Sequence, residues 1–143
     1  MKPNLLTFPR LAHGERSFRE FIANNLSLIE PGLVPYPDLE HCQEFRCPFG
    51  ESGRAGLIDV LAVGADGALV VIECKITAGA SALGQIIGYM AWVARRLAMA
   101  DQRVRGLVVA LNVTPFLALA LRFIKDVPIE VVRYSNSGPT RVT

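Results

Sequence analysis

Three polar side chains interrupt apolar segments near the middle of the chain, and their types could do chemistry. Asp59 stands within residues 57–61 (LIDVL), while Glu73 and Lys75 end residues 70–75 (VVIECK). An ionised carboxylate in apolar surroundings is costly unless it is paired or binds a cation. These residues therefore predict either a cation site or a buried ion pair.

The relative position of Asp59 and Glu73 depends on the turn between the two strands that carry them. A three-residue turn at residues 65–67 (ADG), with Gly67 left-handed, would place Asp59 opposite Glu73. A two-residue turn would place Cys74 there instead. In the first register, two carboxylates on adjacent strands suit Mg²⁺, which is bound through one or two carboxylates, waters and phosphate oxygens.

Lys75 and Cys74 are expected on opposite faces of their strand. Because side chains alternate along a strand, Lys75 shares a face with Glu73 and Cys74 points the other way. Lys75 would then lie beside a metal-bound water or pair with a carboxylate, and these residues alone leave both interpretations open. Cys74 is interpreted as a packed side chain rather than a reactive thiol.

The elements that must position these residues alternate along the chain. Apolar periodicity predicts three helices, at residues 14–29, 80–97 and 115–125. Five shorter apolar segments predict strands, at residues 41–47, 57–64, 68–75, 105–112 and 129–134. The order α-β-β-β-α-β-α-β predicts an α/β fold in which helices flank a mixed central β-sheet.

Length and composition limit the chain to a single domain. Its 143 residues are 51% hydrophobic with a formal net charge of +2, which excludes a disordered chain and a histone-like polycation. The predicted domain spans residues 1–143, with a core at 14–134 and tails at 1–13 and 135–143.

Three cysteines without a CxxC pair, and no signal-peptide core, predict a cytoplasmic protein. The uncharged residues 76–94 favour a buried helix over a membrane span.

Several short motifs resemble those of a known nuclease superfamily. Asp59 followed by Glu73-Cys74-Lys75 resembles the PD-(D/E)XK motif of restriction-endonuclease-like nucleases. Residues 85–89 (QIIGY) resemble the Q-x-x-x-Y helix motif of the RecB-like branch. Residues 15–33 and 104–134 resemble the first helix and the closing strand-helix-strand of NucS-type endonuclease catalytic domains. The resemblance covers roughly residues 15–134, nearly the whole chain.

This resemblance implies a Mg²⁺- or Mn²⁺-dependent nuclease that hydrolyses DNA phosphodiester bonds. Such an endonuclease would act in DNA repair, recombination or defence. The implied metal ligands are Asp59, Glu73 and the backbone carbonyl of Cys74. Glu15, the acidic residue of the first helix, would contact a metal-bound water or a second metal ion.

The resemblance also implies roles for three further side chains. Lys75 would orient or deprotonate the attacking water and offset charge on the scissile phosphate. Gln85 and Tyr89, which share a helix face, would position Lys75 or the DNA backbone. The alternative is a catalytically silent nucleic-acid-binding module of the same fold, whose discriminating feature would be erosion of these residues.

Arginines provide candidate contacts to the DNA backbone. The candidate DNA-binding residues are Arg54, Arg95, Arg96, Arg103 and Arg105. Arg54 departs from the family pattern because it stands five residues before Asp59, so a solvated side chain is the alternative. For the others the alternative is complementation of a helix dipole and ordinary solubility. NucS-type enzymes also carry a separate N-terminal domain for dimerisation and DNA binding, to which these residues show no resemblance. Substrate recognition is therefore expected from the present catalytic domain, from its homodimer or from a partner protein.

Overall fold

The computed structural model describes residues 14–37, 43–48 and 55–142, the second range by its backbone alone. Its helices are α1 (Gly14–Asn24), α2 (Leu26–Ile29), α3 (Ala80–Arg96) and α4 (Pro115–Leu121). Its strands are β1 (Val34–Pro35), β2 (Gln43–Pro48), β3 (Ala55–Val63), β4 (Leu69–Ala78), β5 (Val104–Val113), β6 (Ile129–Ser135) and β7 (Gly138–Val142). Within these ranges the strands form one sheet in the order β1-β3-β4-β5-β6-β7, and β2 also pairs with β3.

The mixed sheet and its flanking helices confirm the predicted fold class. Strands β4, β5 and β6 are parallel and are joined through α3 and α4, whereas the pairs on either side of them are antiparallel. The carboxyl ends of β4, β5 and β6 therefore meet at one edge of the sheet, here called the carboxyl rim (residues 75–78, 110–113 and 133–135). In α/β sheets this edge is where ligands bind.

The hairpin between β3 and β4 adopts the three-residue turn. Gly67 has a φ of +82°, and its N–H donates to the carbonyl of Gly64 at 2.9 Å. The N–H of Gly64 donates to the carbonyl of Ala68 at 2.9 Å. Because a left-handed backbone is easily adopted by glycine alone, Gly67 fixes the register of both strands.

Helices cover both faces of the sheet and divide the core into two layers. Phe18, Ile22 and other apolar residues of α1 and α2 pack against one face, here called the α1–α2 side. Ile86 and Met90 of α3, with residues of α4, pack against the other, here called the α3–α4 side. At Gly106 an added Cβ would lie 2.8 Å from Ile86 Cδ1, so the glycine allows α3 to approach β5 closely.

Two predictions about the chain between and after these elements need correction. The first predicted helix is interrupted at Asn25, whose side-chain amide donates to the carbonyl of Phe21 at 2.7 Å and competes with the helix backbone. The predicted tail at residues 135–143 is also wrong, because residues 138–142 form β7 and pair antiparallel with β6. A turn with Gly138 at a φ of +98° starts this strand. Its polar, proline-containing sequence suits an exposed sheet edge.

The uncharged segment at residues 76–94 forms the end of β4 and most of α3, and α3 packs on the sheet. Ala82, Ile86, Met90 and Val93 are buried there. Among the described residues no helix is long and apolar enough to cross a membrane.

Candidate active site

The candidate site lies where β3 separates from β4. Their pairing runs from Val63↔Leu69 to Val60↔Ile72, so the next step in this register brings Asp59 opposite Glu73. Ile58 packs on the α3–α4 side but Val60 on the α1–α2 side. Residues two apart in a regular strand share a face, so β3 changes direction at Asp59 and leaves the edge of β4 open.

Where β3 no longer pairs with β4, carboxylate oxygens accept hydrogen bonds from the backbone amides of β4. The Cys74 N–H donates to Asp59 Oδ2 at 2.8 Å. The Ile76 N–H donates to Glu15 Oε1 at 3.4 Å, a longer contact from the first turn of α1. Two successive amides on this edge of β4 therefore hold two acidic side chains from distant parts of the chain.

Glu73 completes a group of acidic residues and is itself buried, with 3% of its surface exposed. Burial is the largest cause that raises its pKa to about 9, and a hydrogen bond to Asp59 and repulsion from Asp59 raise it further. The charges of Lys75 and Glu15 also act on this carboxyl, the first lowering its pKa and the second raising it. Glu73 is therefore stable there only as a neutral acid or beside additional positive charge.

The chemistry of these donors fits a hard cation. Glu73 Oε2 is buried and has no hydrogen-bond partner among the described residues. A cation would satisfy this oxygen and offset the repulsion between Asp59 and Glu73. In the described part of the chain no three His, Cys, Asp or Glu side chains could hold a metal ion by themselves. Backbone carbonyl, water or substrate oxygens would therefore have to complete the ligand set.

Cys74 and Lys75, the two residues between Glu73 and Ile76 on β4, differ in burial. Cys74 is 2% exposed and packs on the α1–α2 side, and burial raises the pKa of its thiol well above the usual value. It is therefore a packed side chain, as alternation predicted. Lys75 is half-buried and close enough to Glu73 to act on its charge.

Gln85 and Tyr89 lie on α3, which begins two residues after β4 at the carboxyl rim. Gln85 is exposed in the second turn, and Tyr89 is half-buried one turn later, against the α3–α4 core. Among the described contacts, no hydrogen bond joins Gln85 to Asp59, Glu73 or Lys75. The predicted positioning role of Gln85 and Tyr89 stays a prediction.

The four candidate DNA-binding arginines that the structure describes lie away from these carboxylates. Arg95 and Arg96 are exposed in the last turn of α3, where cations also complement the helix dipole. Arg103 donates to Asp66 Oδ2 at 2.8 Å. Arg54 lies outside the described residues.

Arg105 is held by a pair of hydrogen bonds to the carboxylate of Glu30. It pairs with Val70 in the sheet, close to the hairpin turn and far from the carboxyl rim. Only 17% of its side chain is exposed. The guanidinium is therefore already engaged within the chain.

A groove of about 720 Å³ lies beside β6, β7 and the end of α4, two strands away from the carboxylate-bearing strand β4. None of the predicted site residues lines it. Its lining includes Leu121, Ile124, Lys125, Ile129, Glu130 and Val142.

Solved structures of repair endonucleases share this architecture. A repair endonuclease from Pyrococcus abyssi superposes with a TM-score of 0.59 and 26% identity, over 80% of this chain and 43% of that chain. EndoMS in a complex with double-stranded DNA gives 0.59 and 25%, over 84% and 44%. EndoMS in its apo form gives 0.57 and 27%, over 83% and 45%.

The fold is restriction-endonuclease-like, of the NucS type. The resemblance noted in the sequence is thus confirmed at the level of the fold. This chain spans less than half the length of the NucS-type structures it matches. No protein-family model and no curated protein matches the sequence.

Proposed function

We propose that this chain is a metal-dependent endonuclease domain that hydrolyses phosphodiester bonds of DNA in repair. The observation that carries the proposal is the buried Glu73 carboxyl facing Asp59, with Lys75 two residues further along β4. A buried carboxyl next to a second carboxyl destabilises a fold, so its presence favours a role in binding or catalysis. The likeness to repair endonucleases, one of them in complex with double-stranded DNA, supports DNA as the substrate.

In this proposal Asp59, Glu73 and the backbone carbonyl of Cys74 hold Mg²⁺ or Mn²⁺. Glu15 contacts a bound water or a second ion. When bound, the cation makes water more acidic and offsets charge on the scissile phosphate. The hydrogen bond from Cys74 to Asp59 and that from Ile76 to Glu15 orient both carboxylates before substrate arrives.

Lys75 supplies the positive charge next to these carboxylates. By strand alternation it extends on the same face as Glu73, and its half-exposed side chain can reach a phosphate oxygen or the attacking water. As an ammonium it donates hydrogen bonds that orient the water and stabilise the negative charge that develops on the phosphate. Gln85 and Tyr89, on the helix that follows, are proposed to hold Lys75 or the DNA backbone in place.

The test is cleavage of defined DNA substrates by the purified chain with Mn²⁺ or with EDTA. Labelled single-stranded, branched, mismatched and matched DNA are compared, together with a covalently closed circle that only an endonuclease can cut. We expect cleavage with Mn²⁺ and none with EDTA. The Glu20→Ala variant is the control for loss of an exposed carboxylate outside the candidate site, and it is expected to cleave as the unmodified chain does.

Other outcomes separate the alternatives. DNA binding without cleavage would favour the catalytically silent module. Neither binding nor cleavage of any of these DNAs would overturn the proposed function. Equal cleavage with Mn²⁺ and with EDTA would overturn the metal dependence alone.

A further inference from the structure

Arg133 lies in the same row of the sheet as Lys75. Lys75 pairs with Ala110 of β5, and Ala110 pairs with Arg133 of β6. Residues in register on neighbouring strands point to the same face, and adjacent strands lie about 4.8 Å apart. The backbone positions of Lys75 and Arg133 are thus roughly 10 Å apart along one face of the sheet.

Among the residues that the structure describes, Arg133 differs from the other arginines of β5 to β7 in having no hydrogen-bond or ion-pair partner. Within the described residues, no hydrogen bond or ion pair is made by its exposed guanidinium. Arg103, Arg105 and Arg141 are each bound to the acidic side chains of Asp66, Glu30 or Glu130. Arg133 is therefore available to an external anion without loss of an internal contact.

Two polar residues occupy the next row towards the carboxyl rim. Thr77 of β4 pairs with Asn112 of β5, and both side chains are exposed. Each lies two residues beyond a member of the first row, so both share the face of Lys75. In the described part of the chain neither side chain makes a hydrogen bond. Ala110, between Lys75 and Arg133, is fully buried against the α3–α4 core. The accessible route from Lys75 to Arg133 therefore passes over Thr77 and Asn112 in the next row, which carry free hydrogen-bonding groups.

We propose that Thr77, Asn112 and Arg133 form a phosphate track that holds the DNA strand next to the cleavage site. Arg133 binds one backbone phosphate, and Thr77 and Asn112 donate to phosphates between it and Lys75, because such side chains commonly contact phosphate oxygens. The rise of about 3.4 Å per nucleotide is measured along the duplex axis, and consecutive phosphates also wind around that axis, so 10 Å spans roughly one or two nucleotides. Arg133 thus contacts the phosphate one or two nucleotides from the scissile one. This inference rests on the proposed nuclease function.

The test measures KM and kcat for Mn²⁺-dependent cleavage over a range of salt concentrations. We expect Arg133→Ala to raise KM about tenfold, the usual order for one charge-assisted contact, with kcat nearly unchanged. The slope of log(kcat/KM) against log[salt] falls by about 0.9, as for loss of one phosphate contact. Arg133→Lys keeps the charge and most of the slope. The matched control is Arg122→Ala, which removes another exposed arginine and leaves both values unchanged.

A neutral phosphate locates the contact. In the unmodified chain, a single methylphosphonate one or two nucleotides from the cut raises KM as Arg133→Ala does. The variant is insensitive to the same substitution, because the partner of that phosphate is already absent. Cleavage by the unmodified chain together with an unchanged KM and salt slope in Arg133→Ala would overturn the phosphate track. Absence of cleavage by the unmodified chain would instead overturn the proposed function on which the track rests.

Discussion

At the scale of single residues, the carboxyl of Glu73 dominates the chemistry of the molecule. Its pKa of about 9 arises mainly from burial and then from Asp59, against an ordinary value of 4.5. At neutral pH the side chain therefore keeps a proton while no cation is bound. Binding of a divalent cation would have to displace that proton, which couples metal affinity to pH.

This protonation predicts how stability depends on pH without metal. Between about pH 4.5 and pH 9 the folded chain binds one proton more than the unfolded chain at Glu73. The contribution of Glu73 is fully favourable below pH 4.5, and the free energy of unfolding falls as pH rises to 9. Glu73→Gln removes this dependence and raises the free energy of unfolding at pH 8 by about 1–4 kcal/mol.

Thermal or denaturant unfolding in EDTA across pH 5 to 9 checks this prediction. Glu20→Gln, on the exposed face of α1, is the matched control and follows the pH dependence of the unmodified chain. If Glu73→Gln instead lost stability in parallel with the unmodified chain as pH rises, the raised pKa of Glu73 would be contradicted.

At the scale of elements, the hairpin of β3 and β4 brings the acidic residues together. The turn residues at 65–67 predicted one of two registers, and the left-handed Gly67 of the structure selects the three-residue turn. Asp59 and Glu73 could be predicted as site residues because each interrupts an apolar segment of the sequence. The hydrogen bond from Cys74 to Asp59 could not be predicted, since it depends on β3 leaving β4, and no local signal in the sequence marks that separation.

Other elements show the same limit of local patterns. Strand β7 was not predicted because its residues are mostly polar and lack apolar alternation, as suits a strand at an exposed edge. Arg105 was predicted as a contact to DNA because its partner in the structure, Glu30, is 75 residues away in the chain and no local pattern links the two. Glu15 could be assigned to the site only through the resemblance, because its contact at Ile76 spans 61 residues.

The ion pair of Arg105 and Glu30 ties the end of α2 to β5. Both side chains are mostly covered, with 17% and 19% exposed. We expect Arg105→Ala to lower the free energy of unfolding by about 2 kcal/mol, because it leaves a largely desolvated carboxylate with only the longer contact to Arg141 Nη2 at 3.5 Å. Arg103→Ala serves as the comparison, since 74% of its side chain is exposed, and it costs less than about 1 kcal/mol.

Chemical denaturation of the two variants at one pH distinguishes them. Addition of Glu30→Ala to Arg105→Ala is expected to cost little more, because the pair is already broken. Equal losses in Arg105→Ala and Arg103→Ala would show that burial of the ion pair contributes nothing.

At the scale of the whole molecule, charge is unevenly distributed along the chain. The first 94 residues carry 10 acidic and 7 basic side chains, and the last 49 carry 3 and 8. The acidic excess includes the three residues of the candidate site, and the basic excess includes Arg133 at the carboxyl rim. A bound divalent cation and this rim would together attract a polyanion to a site that is itself acidic.

The most direct measurement is the single-turnover rate of DNA cleavage in Mn²⁺ for Lys75→Met and for Lys125→Met. Both variants remove one lysine ammonium, but only Lys75 lies beside Glu73 and Asp59. We predict that Lys75→Met slows cleavage by about 100-fold or more, the usual contribution of a group that assists proton transfer or stabilises developing charge. Lys125→Met should cleave at the rate of the unmodified chain. Cleavage by Lys75→Met at that same rate would contradict the assignment of the site.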